Sequence, residues 1–363
     1  MNAYTVRLER LRDSLRRKRL DAFCLVNVEG SDRSNLYYLT GFSGSFGVLI
    51  VTRDRQIFLT DSRYITRAQE TISHCEVLEL KGRTTAVAAR INRLKLKNIA
   101  INAPTTSTWL FHQLRDRLKK TKLVPVTGLV EALRTVKDDS EIAAIERAIR
   151  LTDKTFEFIL GIVKPGVTER ELAWEIEKYI RTHGGDGLAF ESIVATGVTT
   201  AMPHYEPQDR EVQKGDFVLF DMGAKVDRYC ADLTRTVVVG RASSEQKKIY
   251  KIVLQAQERV IQNLRAGLTS KQADAPARET IAQAGYKKNF GHGTGHGLGL
   301  DVHEGPRLSP LGRDKLQAGN VVTIEPGIYL PGWGGVRIED VAVVEEQGCR
   351  VLTQAPKKKL IEV

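Results

Sequence analysis

Much of the second half of this chain is written twice, and that constrains the fold more than any other feature. Lys164-Pro-Gly-Val-Thr-Glu-Arg-Glu171 opens a helix with Thr168 and Glu171 spaced as a capping box, in which each side chain accepts from the other's backbone N–H. Arg265-Ala-Gly-Leu-Thr-Ser-Lys-Gln272 repeats it with Thr269 and Gln272, 101 residues later. Lys214-Gly-Asp-Phe-Val-Leu-Phe-Asp-Met-Gly223 then returns as Ala318-Gly-Asn-Val-Val-Thr-Ile-Glu-Pro-Gly327, so that Asp221 and Glu325 occupy matched places 104 residues apart. Two capped helices alone could resemble each other by chance. A nearly constant offset shared by helix, strand and acid predicts a duplicated α+β unit.

The matched acids lie inside apolar runs, Val218-Leu-Phe-Asp221 and Val322-Thr-Ile-Glu325. A turn around Val226 and Asp227 makes Asp221 and Asp232 equidistant from it, which predicts that they face each other across a hairpin. Glu325 and Glu339 are likewise symmetric about Gly332, within Leu330-Pro-Gly-Trp-Gly-Gly335. Four acids converging in apolar surroundings cannot all ionise unless cations balance them. Gly291-His-Gly-Thr-Gly-His-Gly-Leu-Gly-Leu-Asp-Val-His303 adds His292, His296 and His303, with glycines that let backbone and ligand approach closely. A lone histidine is usually structural, but three within twelve residues beside two acid pairs favour a site. Four carboxylates and one imidazole suit two divalent ions about 3.5–4 Å apart that share bridging carboxylates. The glycines are not read as a phosphate loop, because neither Gly-x-Gly-x-x-Gly between strand and helix nor a Gly-Lys-Ser/Thr ending is present.

A chain of 363 residues exceeds one usual core, so two domains are expected. Residues 1–135 alternate helical stretches with β-branched runs at Phe23 to Val26, Val48 to Thr52 and Ile57 to Thr60, an α/β pattern. The charged stretch Arg134 to Asp139 precedes a long amphipathic segment, Glu141 to Val163, capped by Asp138, Asp139 or Ser140. The boundary is placed there, with 136–363 as the second domain. A net charge of +11 raises nucleic-acid binding, but the basic residues are spread along the chain and no recognised nucleic-acid motif accompanies them. The amino-terminal arginines sit at helical spacing without an apolar stretch of signal-peptide length, and no run reaches membrane-spanning length. Cys24, Cys75, Cys230 and Cys349 lack metal-type spacing and are read as reduced, structural thiols. The expectation is a cytoplasmic protein with neither membrane nor nucleic acid as partner.

These residues resemble the pita-bread metallopeptidases, the family that includes aminopeptidase P, prolidase and methionine aminopeptidase. The signature is Asp221 of Phe-Asp-Met-Gly-Ala, Asp232 of Ala-Asp-Leu-Thr-Arg-Thr, His296 of Gly-Thr-Gly-His-Gly, Glu325 of Ile-Glu-Pro-Gly and Glu339 of Arg-Ile-Glu-Asp. The resemblance implies that Asp232 and Glu339 bridge two metal ions, that Asp221 completes one site, and that His296 with Glu325 completes the other. Manganese is the metal it implies first, with cobalt or zinc able to use the same ligands. It further implies that Glu325 shuttles the proton of the attacking water. His204 of Met-Pro-His-Tyr would stabilise the carbonyl oxygen as it becomes anionic, His303 would contact the substrate after the cleaved bond, and His292 would line the pocket. Arg337 would lie near the metals, its duller alternative being a buried structural ion pair.

The first domain resembles the amino-terminal domain of the creatinase, prolidase and aminopeptidase P group through Tyr38-Leu-Thr-Gly-Phe-Ser-Gly-Ser45 and Leu59-Thr-Asp-Ser-Arg-Tyr64. Methionine aminopeptidases lack such a domain, so proline-directed activity is implied. These segments favour an Xaa-Pro aminopeptidase, with an Xaa-Pro dipeptidase (prolidase) as the alternative, and the family implies a homodimer acting on peptides with proline second. Two departures stand out, Ser62 in place of the usual glycine and Gly197-Val-Thr-Thr-Ala201 without the usual asparagine. The competing readings are a metal-free creatinase-like enzyme and a peptide-binding module of the same fold. Five filled ligand positions speak against both.

Overall fold

The computed structural model describes residues 2–82 and 84–363, which divide into two compact units, one ending at Arg134 and one spanning Thr135–Val363. In the first, the apolar runs become a six-stranded sheet ordered Glu76–Glu79, Gln56–Thr60, Phe46–Thr52, Ala22–Val28, Asn98–Asn102 and Lys122–Val126. Phe46–Thr52 runs antiparallel to both neighbours and the remaining pairs are parallel. The central strands are buried on both faces, which is why they read as continuous apolar runs rather than alternating ones. Part of the basic amino-terminal segment is structural. On the helix Ala3–Arg17, Arg12 is buried and donates to Thr52 O at 2.9 Å and to Gln56 Oε1 at 2.5 Å.

The second unit is built twice. Its first half runs helix Asp139–Leu160, helix Glu169–Thr182, then strands Ile193–Thr196, Phe217–Met222 and Leu233–Val238. Its second half runs helix Ser244–Asn263, helix Ser270–Gln283, then strands Gly295–Gly297, Val321–Ile324 and Asp340–Glu345. In each half the second of these three strands is hydrogen-bonded between the first and third. The two capping boxes expected from sequence form: Gln272 N donates to Thr269 Oγ1 at 3.2 Å, as Glu171 N does to Thr168 Oγ1. The long helix before them takes Asp138 as N-cap, with Glu141 completing its box. Beneath the sheets lie two cores, one containing Phe156, Ile176 and Phe220, the other Ile249, Val253 and Ile324.

The hairpin registers decide where the acids go. In the second half Ile324 pairs with Asp340 and Gly327 with Arg337, so the turn centres on Gly332 as expected, and Gly332 takes a φ of 79°. In the first half the expected centre was one residue early. Val226 pairs with Tyr229, and the turn consists of Asp227 and Arg228, at φ values of 49° and 69°. Two residues in the left-handed region make the tight turn that suits strand twist, but the sequence lacks the Asn-Gly or Asp-Gly that announces it. Asp221 therefore faces Thr234, and Asp232 lies diagonally beside it rather than opposite.

Gly223 sits where the backbones leading to and from this hairpin run close together. A Cβ placed there would lie 2.0 Å from Ala231 O. Gly223→Ala is expected to force the acid-bearing strands apart and lower Tm by about 5 °C or more, measured by scanning calorimetry.

Candidate metal centre

The duplication brings the acids together from matched places. Asp221 lies near the end of Phe217–Met222 and Glu325 directly follows Val321–Ile324. Asp232 and Glu339 each stand immediately before a third strand, Leu233–Val238 and Asp340–Glu345. His296 is the middle residue of Gly295–Gly297. The two halves meet through the backbone, where Glu339 N donates to Thr234 O at 3.1 Å. Fully buried Arg235 donates to Glu339 O, to Asp340 Oδ1 at 2.8 Å and to Ala355 O at 2.8 Å, fixing the strand that carries Glu339.

Carboxylate oxygens of Asp221, Asp232 and Glu339 lie within 4.8 Å of one another. His296 Nε2 stands 3.6 Å from Asp232 Oδ2 and 3.4 Å from Glu325 Oε1. Its other ring nitrogen, Nδ1, is 3.0 Å from Gly297 O, a contact that places the ring proton on Nδ1 and leaves the Nε2 lone pair facing the acids. Burial pushes Asp232 and Glu339 far above the ordinary carboxyl range, and the neighbouring acids push in the same direction. Glu325 is pushed up to about 8, chiefly by burial. The His296 imidazole is pushed down to about 4 by burial, which keeps it neutral and able to ligate. Two buried oxygens, Asp221 Oδ1 and Glu339 Oε1, have no hydrogen-bond partner among the described residues. Crowded acids, a lone pair aimed among them and unpartnered inward oxygens are what divalent cations require, so these residues fit a metal site.

The remaining candidates fall around the same cavity of about 590 Å³, whose lining includes His204, His292, His303 and Arg337 with the five residues above. His204 and His303 are exposed, and the His303 ring packs edge-on against His296 at 4.3 Å. Partial desolvation of its ring, with Arg307 nearby, lowers the His303 imidazole, and burial with Arg337 takes His292 down to about 4. Arg337 is buried and pairs with Asp221 Oδ2 at 2.6 Å. It also donates to Tyr329 Oη at 2.9 Å and Thr234 Oγ1 at 3.0 Å. Tyr329 Oη in turn lies 2.9 Å from His292 Nε2, and Thr234 Oγ1 donates to Glu339 Oε2 at 2.7 Å.

Sequence reasoning missed Tyr329, Thr234, Thr323 and Arg307. Thr323 Oγ1 accepts from His296 N at 3.0 Å and donates to Glu325 Oε1 at 3.2 Å, while Arg307 lines the cavity as an exposed cation. Strand alternation put Thr323 on the face of Glu325, and that was the available signal.

The fold and this carboxylate-histidine centre define a pita-bread hydrolase preceded by an α/β domain. Residues 143–346 match the model of metallopeptidase family M24, and residues 7–136 match that of the creatinase/prolidase N-terminal domain. The chain belongs to metallopeptidase family M24. It is similar to an Xaa-Pro dipeptidase of Pyrococcus horikoshii, 34% identical over 89% of this chain and 91% of the relative. Among solved structures it resembles an Xaa-Pro dipeptidase from Bacillus anthracis, with TM-score 0.95, 38% identity and 99% of each chain covered. It also resembles an X-Pro aminopeptidase from Thermotoga maritima, with TM-score 0.91, 38% identity and coverage of 98% and 99%. No helix of the described residues is long and apolar enough to cross a membrane.

The raised acids give a signed prediction for protein stripped of metal by chelation. A carboxyl whose folded pKa exceeds its unfolded value stabilises the fold below the unfolded value and loses that contribution as pH rises through the folded one. With Glu325 pushed up to about 8, Tm of the stripped protein is expected to fall as pH is raised from about 5 to 8. Added manganese should restore several degrees at pH 8 and flatten the slope, as read by differential scanning fluorimetry.

Proposed function

We propose that this metallopeptidase hydrolyses the bond before proline in Xaa-Pro dipeptides, as an Xaa-Pro dipeptidase. Sequence reasoning placed the aminopeptidase first, and the relatives' names shift the preference to the alternative it carried. The observation that carries the choice is Arg307, a cation lining the cavity of His303, where a short substrate would present its terminal carboxylate. A guanidinium matches a carboxylate in charge and geometry.

In this reading Asp221, Asp232, His296, Glu325 and Glu339 would hold two divalent ions, manganese first. When bound, such ions acidify water to supply a nucleophile near neutral pH and polarise the substrate carbonyl. Glu325 takes the proton of the attacking water and returns it to the proline nitrogen, which must be protonated before expulsion from a tertiary amide. His204 donates to the carbonyl oxygen as it becomes anionic. His303 and Arg307 hold the residue after the cleaved bond, and His292 orders the pocket through Tyr329 and Arg337. The products are the amino acid Xaa and free proline. The unit from Thr135 carries this chemistry, and the enzyme works as a cytoplasmic homodimer.

The test is to strip metal, restore manganese, cobalt or zinc, and compare Xaa-Pro, Xaa-Pro-Yaa and Xaa-Ala-Yaa. Metal-dependent cleavage confined to Xaa-Pro is expected. Cleavage of the tripeptide before proline would instead make the enzyme an aminopeptidase. Asp232→Ala and Glu339→Ala should each abolish turnover, and near-native turnover in either would refute the two-metal reading. Arg307→Ala should raise KM for Xaa-Pro about tenfold or more with a smaller change in kcat.

A further inference from the structure

The segment that carries His204 has little secondary structure of its own. From the end of the strand Ile193–Thr196 the chain makes a short 3-10 turn, Gly197–Ala201, then runs irregularly through Met202, Pro203, His204 and Tyr205 to Gln208. Both ends of this loop close on one side chain. Glu169, first residue of the helix Glu169–Thr182, is 0% exposed. Its Oε1 accepts from Thr196 N at 2.8 Å and from Thr199 Oγ1 at 3.0 Å, and its Oε2 accepts from Gln208 N at 3.1 Å. The phenol of Tyr205, adjacent to His204, is raised in pKa by burial and by this neighbouring carboxylate.

The helix does not need that carboxylate. Its N-terminus is already closed by Thr168 and Glu171, and among the described residues Glu169 forms no ion pair that would require it as a counterion. Burying a carboxylate is costly, and here its return is the closure of one loop. The second half has a counterpart on its own capped helix, Ser270–Gln283. Buried Asp274 accepts from Thr294 N at 3.1 Å and Thr294 Oγ1 at 2.8 Å, at the foot of the loop leading to His296. Arg278 grips Asp274 at 2.7 and 2.9 Å and donates to His292 O at 2.8 Å. The acids occupy different positions on the two helices, yet each anchors a histidine-bearing loop.

We propose that Glu169 is a positioning residue that fixes His204 over the cavity, and that Asp274 does the same for the loop of His292 and His296. The role of Glu169 in turnover rests on the reading that His204 stabilises the oxyanion. Its structural part, the placement of the His204 ring, does not. The two anchors therefore have different readouts, kcat for Glu169 and metal retention for Asp274.

The experiment compares wild type, Glu169→Gln, His204→Ala, the double variant and Asp274→Asn, each reconstituted with manganese and, in parallel, with zinc. Metal content and Xaa-Pro kinetics are measured on the manganese protein, and the His204 ring resonances, assigned with His204→Ala, on the diamagnetic zinc-loaded protein. Glu169→Gln should keep full metal content, lower kcat about tenfold or more with less effect on KM, and shift or broaden the His204 signals. In the double variant, loss of Glu169 should cost no more than about twofold beyond His204→Ala, because an anchor has nothing left to position. Asp274→Asn should instead lose manganese more readily on dilution into chelator. Unchanged His204 resonances in Glu169→Gln, or losses that multiply in the double variant, would overturn the proposal. Equal activity of His204→Ala and wild type would sink the oxyanion reading alone, and the resonances would still decide the anchor. Should Glu169→Gln fail to fold, Thr199→Val removes one donor with an isosteric side chain and should move kcat and resonances in the same direction by less.

Discussion

The second unit depends on keeping several carboxyl groups together away from water. Asp221, Asp232 and Glu339 crowd with oxygens within 4.8 Å of one another, with Glu325 and His296 beside them, and each lies in or next to a different strand. Like charges at such spacing disfavour ionisation, and burial adds to the penalty, so the arrangement becomes favourable once divalent cations enter. The surroundings serve this one constraint. Arg337 offsets Asp221, Thr234 satisfies one oxygen of Glu339, and Gly297 fixes the tautomer of His296.

Duplication is the economical way to build such a centre. One helix-helix-strand unit presents an acid from its middle strand and another from the turn before its third strand. Two copies then supply four acids, while the first strand of the second copy contributes the imidazole. The copies have diverged in how they hold their loops. Glu169 grips from the first turn of its helix, whereas Asp274 sits further along and needs Arg278 to hold it. A duplicated scaffold thus constrains where the ligands go more tightly than how each is supported.

The broad architecture was legible in the chain because its causes are local. Capping boxes read directly from Thr168/Glu171 and Thr269/Gln272, and apolar runs in the first unit named its buried strands. The first acid hairpin was misjudged by one residue because Asp227 and Arg228 adopt a left-handed turn without glycine or asparagine. One residue of register changes which side chain faces which, so Asp221 and Asp232 meet diagonally. Tyr329 escaped notice for another reason, since its bonds to Arg337 and His292 join residues whose adjacency depends on strand pairing and a loop path.

By itself the sequence determined the repeat, the chemistry of the five candidate ligands and the presence of two domains, because each is carried by residue type and spacing along the chain. The tertiary structure decided what depends on long-range register. It set the diagonal meeting of the first two acids, the bond of Glu339 N to Thr234 O across the halves, the cation Arg307 at the cavity, and the closure of the His204 loop on Glu169. These contacts join residues from 11 to over a hundred positions apart, and spacing in the chain carries no record of which pairings the packed core will choose.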